Sequence, residues 1–327
     1  MRPSWPELRR RALLPLPFLA GIGRAEAAGS PAVLAPGPED GATMRWAHRL
    51  VRRVGRVMPG LPPPVLRAVG GPDGVTAANR FIAGDAEDGH LLLALAGPAL
   101  LPWLSGSPRA SYDPAAWLPV CLSWRGAMVA GRGPLPAPGQ PRAPIRVPLS
   151  GPETTEAGVL LALETIGLPA EPAVASVAAS PWPPEEAFAQ GEVDAVLLTG
   201  PGAVAQAQAL GATPWFGFGQ AGEAVRPYAA IPALDPARQR AVLAVIGTAQ
   251  LHAALILPRL TSSDMVAAWR QAGQRWRDGE RAESAEAEGE PLADVAAVAA
   301  LASLTPPPEA VLAWRSWLSR RLGWRPA

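Results

Sequence analysis

Four short loops hold most of the residues in this sequence that could do chemistry. Residues 36–43, 70–76, 96–99 and 150–155 are rich in glycine and proline, and each follows an apolar run. Three of them lead into helical patterns. Backbone N–H groups at a helix N-terminus, with the helix dipole behind them, attract anions such as carboxylates. Glycine lets a ligand approach that backbone closely. Ser150, Thr154 and Thr155 add hydroxyl donors. Taken singly, such loops more often serve as ordinary turns and caps. Four of them in sheet order bring a binding surface level with that reading.

Signatures of catalysis are weaker. Gly217-Phe218-Gly219-Gln220-Ala221-Gly222 matches G-x-G-x-x-G. That pattern binds dinucleotides only between a strand and a helix, and here Pro227 interrupts the helix at once. No G-x-S-x-G elbow and no P-loop is present. His48, His90 and His252 lie in three distant segments, none with a second His or a Cys at ligand spacing, so no metal is expected. Cys121 is the only cysteine, which excludes an internal disulfide. Glu185 and Glu186 fall on a helix surface. Trp269, Trp276, Trp314, Trp317 and Trp324 could be ligand platforms, but packing is the commoner use. The expectation is a protein without catalysis, cofactor or metal.

The elements behind these loops come from a chain of 327 residues, 49% apolar and 17% charged. That is two domains or one large one, and too apolar for global disorder. Gly (33) and Pro (40) are frequent but aperiodic, which means many turns and short elements. Every basic residue is Arg, and Asn79 is the only Asn. A net charge of +1 argues against a nucleic-acid partner. At the N-terminus, Arg9, Arg10 and Arg11 precede an apolar stretch at 12–22, and Ala25-Glu26-Ala27 fits a small-x-small cleavage site. Residues 1–27 therefore read as a signal peptide. The apolar stretch is shorter than the roughly 20 residues needed to span a bilayer. The arginine run also admits the twin-arginine route of export. Cleavage would remove five Arg and two Glu and move the net charge from +1 to −2.

Apolar runs predict strands at 31–35, 65–69, 90–96, 145–149 and 193–199. Helical spacing predicts helices at 44–58, 76–83, 154–166, 185–190, 203–210, 292–303 and 308–322. Thr261-Ser262-Ser263-Asp264 suggests a capping box opening a further helix to Trp276. Residues 97–120 look irregular, 131–144 look like a linker, and the charged stretch 277–290 looks like a loop. The alternation of strand and helix implies parallel α/β sheets, with ligands beyond the carboxyl ends of the strands.

In order and spacing these segments resemble the Bug-type periplasmic receptors of tripartite tricarboxylate transporters. Residues 31–44 (PAVLAPGPEDGATM) sit where that family has a strand, a Pro-Gly loop and a helix. Val69-Gly70-Gly71-Pro72-Asp73-Gly74 resembles its second glycine loop. Asp88-Gly89-His90-Leu91-Leu92-Leu93 resembles its following turn and strand. Tyr112-Asp113-Pro114 with Leu118-Pro119-Val120 resembles its YDP…PV segment, and Gly191-Glu192-Val193-Asp194 its G-x-V-D strand entry. Leu257-Pro258 and Val266-Ala267-Ala268-Trp269-Arg270 resemble its C-terminal helix region. The likeness runs through essentially the whole mature chain.

The resemblance implies a type II periplasmic-binding-protein fold: two α/β lobes around a ligand cleft, 28–125 plus 229–327 forming lobe 1 and 126–228 lobe 2. It implies a small-molecule ligand, typically a carboxylate, and a membrane permease as partner, in the periplasm, with the receptor a monomer. By position the cleft residues would be Pro38, Asp40, Gly41, Gly74, Thr76, Gly97, Ser150, Thr154, Thr155, Thr199 and Gly200. The loops here also carry Glu39, Asp40, Asp73 and Glu153, where the family is mostly neutral. A ligand carboxylate at roughly 5 Å from one of them would meet about 3 kcal/mol of repulsion. The expectation is therefore a ligand that is amine-bearing or neutral, or a cleft that has lost its ligand in a sensor or interaction protein.

Overall fold

The computed structural model describes residues 30–55, 62–84, 89–139, 143–173, 183–219, 225–283 and 288–325. The expected signal peptide at 1–27 lies outside them. A six-stranded sheet is built on a short, wholly buried first strand, β1 (Ala32–Ala35). It runs parallel to β2 (Val65–Ala68) on one side and β3 (Leu91–Leu95) on the other. Helices α1 (Ala42–Val54) and α2 (Val75–Ala83) make the crossovers between them. After a 3-10 turn at Gly97–Ala99 and the short α3 (Leu100–Ser105), the chain forms β4 (Trp117–Trp124).

β4 does not pair with β3. Between them lies β10 (Leu251–Pro258), antiparallel to both, and β11 (Glu290–Ala293) closes the edge beyond β4. The sheet is thus mixed, not parallel throughout. The returning chain supplies β10 from the opposite direction, and that reversal carries no local signature.

The second sheet has β5 (Ala127–Gly131) at its centre, antiparallel to β8 (Ala195–Thr199) and β9 (Thr213–Phe218). Beside it β6 (Ile145–Pro148) and β7 (Ala170–Ala173) form a parallel pair, and Asp194 N donates to Arg146 O at 2.8 Å where β6 approaches β8. α4 (Thr155–Thr165) connects β6 to β7. α5 (Pro184–Ala189) precedes β8, and α6 (Ala203–Ala209) joins β8 to β9.

Two peptide stretches join the sheets. Arg125 and Gly126 carry the chain from β4 to β5. α7 (Pro236–Gln250) brings it back and passes directly into β10. Gln250 pins this crossing: its Nε2 donates to Arg125 O at 3.1 Å and to Phe218 O at 3.0 Å. α7 packs in one core with α4 and the last helix, α10 (Pro308–Leu322). The other long helix, α8 (Ser263–Ala282), covers the large sheet beside α1, and α9 (Asp294–Ser303) covers its other face. Trp269, Trp276, Trp314 and Trp317 are all buried in these cores, so they pack and do not form ligand platforms.

Several expectations at 97–144 and 261–290 need correction. The stretch 97–120 contains α3 and the start of β4, and 131 ends a strand. β9 forms despite Pro214 because it is an edge strand, where a missing N–H leaves no ladder bond unmade. α8 runs on past Trp276 to Ala282, through the charged stretch expected as a loop, because Glu280 is buried beside Arg53 of α1 at 3.4 Å. The capping box does not form: Ser262 caps α8 without a side-chain bond, and Thr261 Oγ1 instead donates to Pro258 O. Gly217 is the penultimate residue of β9 and Gly219 lies just beyond it, and no helix of the dinucleotide type follows among the described residues. Among them, too, no single helix is long and apolar enough to cross a membrane.

Candidate ligand-binding site

A cavity of about 270 Å³ opens at the carboxyl ends of β1 and β3, where the sheets meet. The loop between β1 and α1 supplies Pro36, Pro38 and Gly41, and the first turn of α1 supplies Thr43; the loop before α2 supplies Pro72; Ala96 and Pro98 follow β3. The remaining wall is the crossing itself: Arg125 in the link from β4 to β5, and Thr248, Ala249, Leu251 and His252 at the junction of α7 and β10.

These loops hold each other in place through backbone contacts. Gly37 N donates to Gly70 O at 3.2 Å, which ties the first loop to the second. Gly70 has φ +71°, and a Cβ there would meet the Thr76 side chain at 2.4 Å. At Gly97 a Cβ would lie 1.9 Å from Thr248 O and 2.5 Å from Leu251 O. Only glycine lets the turn after β3 press against the α7–β10 junction and close that side of the cavity.

The electrostatics of this wall are one-sided. Among the described residues Arg125 is the only formally charged side chain in it, and no carboxylate lines it. Arg125 Nε donates to Glu288 O at 2.8 Å, while its Nη2 lies 3.5 Å from the Glu288 carboxylate. The same carboxylate lies 3.9 Å from Arg49 and 2.5 Å from His252 Nε2. Burial pulls the Arg125 pKa down from its usual value, and Glu288 only partly opposes it. Burial, then the charges of Arg125, Arg49 and Arg45, push the His252 pKa down to about 3, so its imidazole is neutral despite the adjacent Glu288. α1 adds its N-terminus: Gly41 caps it without a side chain, and no acid stands in its first turn. That end of the helix favours negative charge.

Of the residues expected in the cleft, Pro38 and Gly41 line the cavity. Asp40 follows Pro38 in the same loop but is exposed. Gly74 and Thr76 lie behind the wall, at the start of α2, where a Cβ on Gly74 would meet Ala96 at 3.2 Å. Gly97 supports the wall as described. Ser150, Thr154 and Thr155 lie together before and at the start of α4, where Thr154 Oγ1 donates to Gly151 O at 2.8 Å. Thr199 ends β8, and Gly200, with φ +95°, donates its N–H to Gly126 O at 2.9 Å. These five residues of the smaller-sheet side do not line this cavity. Sequence reasoning missed Arg125, Thr248 and His252. Arg125 did leave a signal, as the charged interruption between two apolar runs at 117–124 and 127–130.

The four loop acids are not arranged as expected. Arg109 forms an ion pair with Asp73 and a second, at 3.1 Å, with Glu153. Ser105 Oγ also donates to Glu153 at 3.1 Å. Asn79 fixes the Arg109 backbone to α2: its Nδ2 donates to Arg109 O at 2.7 Å and its Oδ1 accepts from Ser111 N at 2.9 Å. Asp73 and Glu153 are thus occupied by one guanidinium that spans loops of the two sheets. Glu39 and Asp40 are exposed, and neither lines the cavity. The expected repulsion of carboxylates therefore loses its basis.

No family model matches the sequence, and no curated protein sequence matches it. Solved structures do. A TctC solute-binding protein from Polaromonas, without ligand, superposes with a TM-score of 0.61 at 13% identity, covering 88% of this chain and 97% of that one. MatC from Rhodopseudomonas palustris, with bound malate, gives 0.52 at 18% identity over 88% and 98%. The periplasmic binding protein BugD gives 0.51 at 13% identity over 89% and 96%. The chain has the two-lobed α/β fold of these solute-binding proteins.

Proposed function

We propose that this chain is a periplasmic solute-binding receptor, without catalysis, that captures a small organic solute for the permease of a tripartite tricarboxylate-type transporter. The observation that carries the reading is the cavity where the two sheets meet, at the strand ends where α/β sheets bind ligands. The shared fold supports it. We place the first lobe boundary at 125/126, as the sequence suggested. We move the second from 228/229 to 250/251, because α7 packs with α4 on the smaller sheet. Solute would draw the loops at 150–155 and 199–200 toward the cavity, in the closure by which such a receptor signals its loaded state.

The alternative is a sensor or interaction protein with a degenerate cleft. It is favoured by one observation: the loop before α4 contributes nothing to the cavity, and its Glu153 is bound to Arg109. A thermal-shift panel on the mature chain separates the two. A solute at 100 times its dissociation constant adds about 2.7 kcal/mol, a rise of a few degrees in a chain of this size. A shift with any class of small acid or neutral solute supports the receptor. A flat panel, with a protein partner retained in the absence of solute, favours the alternative.

A further inference from the structure

The wall of the cavity narrows the class of solute, on the premise that the receptor reading holds. We propose that the solute is a small monoanion, one acid group on a compact, largely apolar body, and that the Arg125 guanidinium receives the acid group. Charge comes first. One carboxylate, Glu288, lies among Arg49, Arg125 and His252. Among the described residues two arginines thus share one acid, so positive charge exceeds negative here whatever the proton on His252 does. Among the described residues Arg125 makes only one side-chain hydrogen bond, from Nε to Glu288 O. Its Nη2 lies 3.5 Å from the Glu288 carboxylate, beyond a good hydrogen bond, so an incoming carboxylate can engage Nη1 and compete for Nη2. The N-terminus of α1 faces the same space and adds to the positive potential.

The rest of the wall sets the limit at one charge. Pro36, Pro38, Pro72 and Pro98 are four of its lining residues, and proline has no N–H to offer. Ala96 and Leu251 present apolar side chains. A second acid group on the solute would leave water and find no second cation among the described lining residues, only the α1 N-terminus that already serves the first, a costly burial. An amine would face Arg125 directly. A neutral amide would leave the guanidinium uncompensated. The volume of about 270 Å³ sits at the small end of ligand pockets and suits a body of a few carbons.

Calorimetric titration of the mature chain tests this with four-carbon solutes matched in size: butyrate, succinate, butyramide and butylamine, together with malate and a series of monocarboxylates from acetate to hexanoate. The expected result is that at least one monocarboxylate binds, and at least tenfold more tightly than the diacid, amide and amine of the same length. Arg125→Gln should lose tenfold or more, and Arg125→Lys should recover part of the loss. Ala42→Asp guards against misfolding. Ala42 is exposed, lines the cavity and opens α1. An acid there favours the helix but occupies the place of the solute's charge, so the melting temperature should hold or rise while affinity falls tenfold. Tighter binding of succinate or malate, or full affinity in Arg125→Gln, would overturn the monoanion assignment and leave the receptor standing. No binding by any compound of any class would overturn both.

Discussion

Two arginines, one in the cavity wall and one outside it, are in opposite states. Arg109 is more than half exposed and holds two carboxylates, Asp73 and Glu153. Arg125 is three-quarters buried and shares the single carboxylate of Glu288 with Arg49 and His252. Their pKa values move in opposite directions. The hydrogen bond to Asp73 raises that of Arg109, whereas burial lowers that of Arg125. An exposed cation with both partners in place has nothing left to offer a ligand. A buried cation short of an anion is what a ligand can satisfy. Two of the four acids that set this sequence apart from the Bug-type pattern, Asp73 and Glu153, therefore belong to the first arginine, away from the cavity wall.

The largest test of the comparison uses pH. With the His252 pKa held at about 3 in the fold and near 6.5 in the unfolded chain, the unfolded state binds more protons between those values. Its contribution to stability is complete above pH 6.5 and falls as pH drops toward 3, by up to about 1.4 kcal/mol per pH unit. Urea midpoints measured from pH 7 to 4 should show this slope in the native chain and lose part of it in His252→Gln. If His252 instead carried a proton shared with Glu288, removing it would not flatten the profile, and the cavity would be more positive than described.

Glu288→Gln is the next test. It deletes the only carboxylate that the described residues place among Arg49, Arg125 and His252 but keeps the backbone acceptor for Arg125 Nε. Leaving a partly buried cation without its charge partner should cost about 1–3 kcal/mol. The two regions then separate clearly. Added monocarboxylate should raise the melting temperature of Glu288→Gln more than that of the native chain, since it supplies the missing charge at Arg125, whereas a variant of Arg109 should shift only as far as the native chain does. Equal rescue at both places would mean that the arginines do not differ in their need for an anion.

How far the sequence revealed this site depended on how local each feature is. α10 at 308–322 and α4 at 155–165 follow from spacing within one segment, and both lie within a residue of expectation. The first three glycine loops were legible because a glycine or proline marks a turn whatever it packs against. β10 was not, since its place between β3 and β4 is decided by a chain returning from the other sheet. His252 and Thr248 share that fate: they join the cavity only through the α7–β10 junction. The loop acids were visible as charges, but Arg109, the residue that neutralises two of them, lies 36 positions from Asp73 and 44 from Glu153. Counting charge near a loop cannot reveal a partner held that far along the chain.

The smallest expected effect concerns that partner and probes the other half of the comparison. Glu153→Gln keeps an acceptor for Ser105 and removes only the charge that Arg109 meets across the sheets. Asp73→Asn removes the charge on its own side and keeps an acceptor for Val75 N. Because Arg109 is mostly exposed, each pair should contribute at most about 1 kcal/mol and fade with salt. A double-mutant cycle of each with Arg109→Gln isolates the pair from the rest of the loop. Coupling in both cycles, lost in molar salt, would show one guanidinium serving two lobes at once. Coupling with Asp73 alone would confine Arg109 to its own lobe and return Glu153 to the cleft as a free acid. The repulsion it would then exert on an incoming carboxylate would again count against an anionic solute.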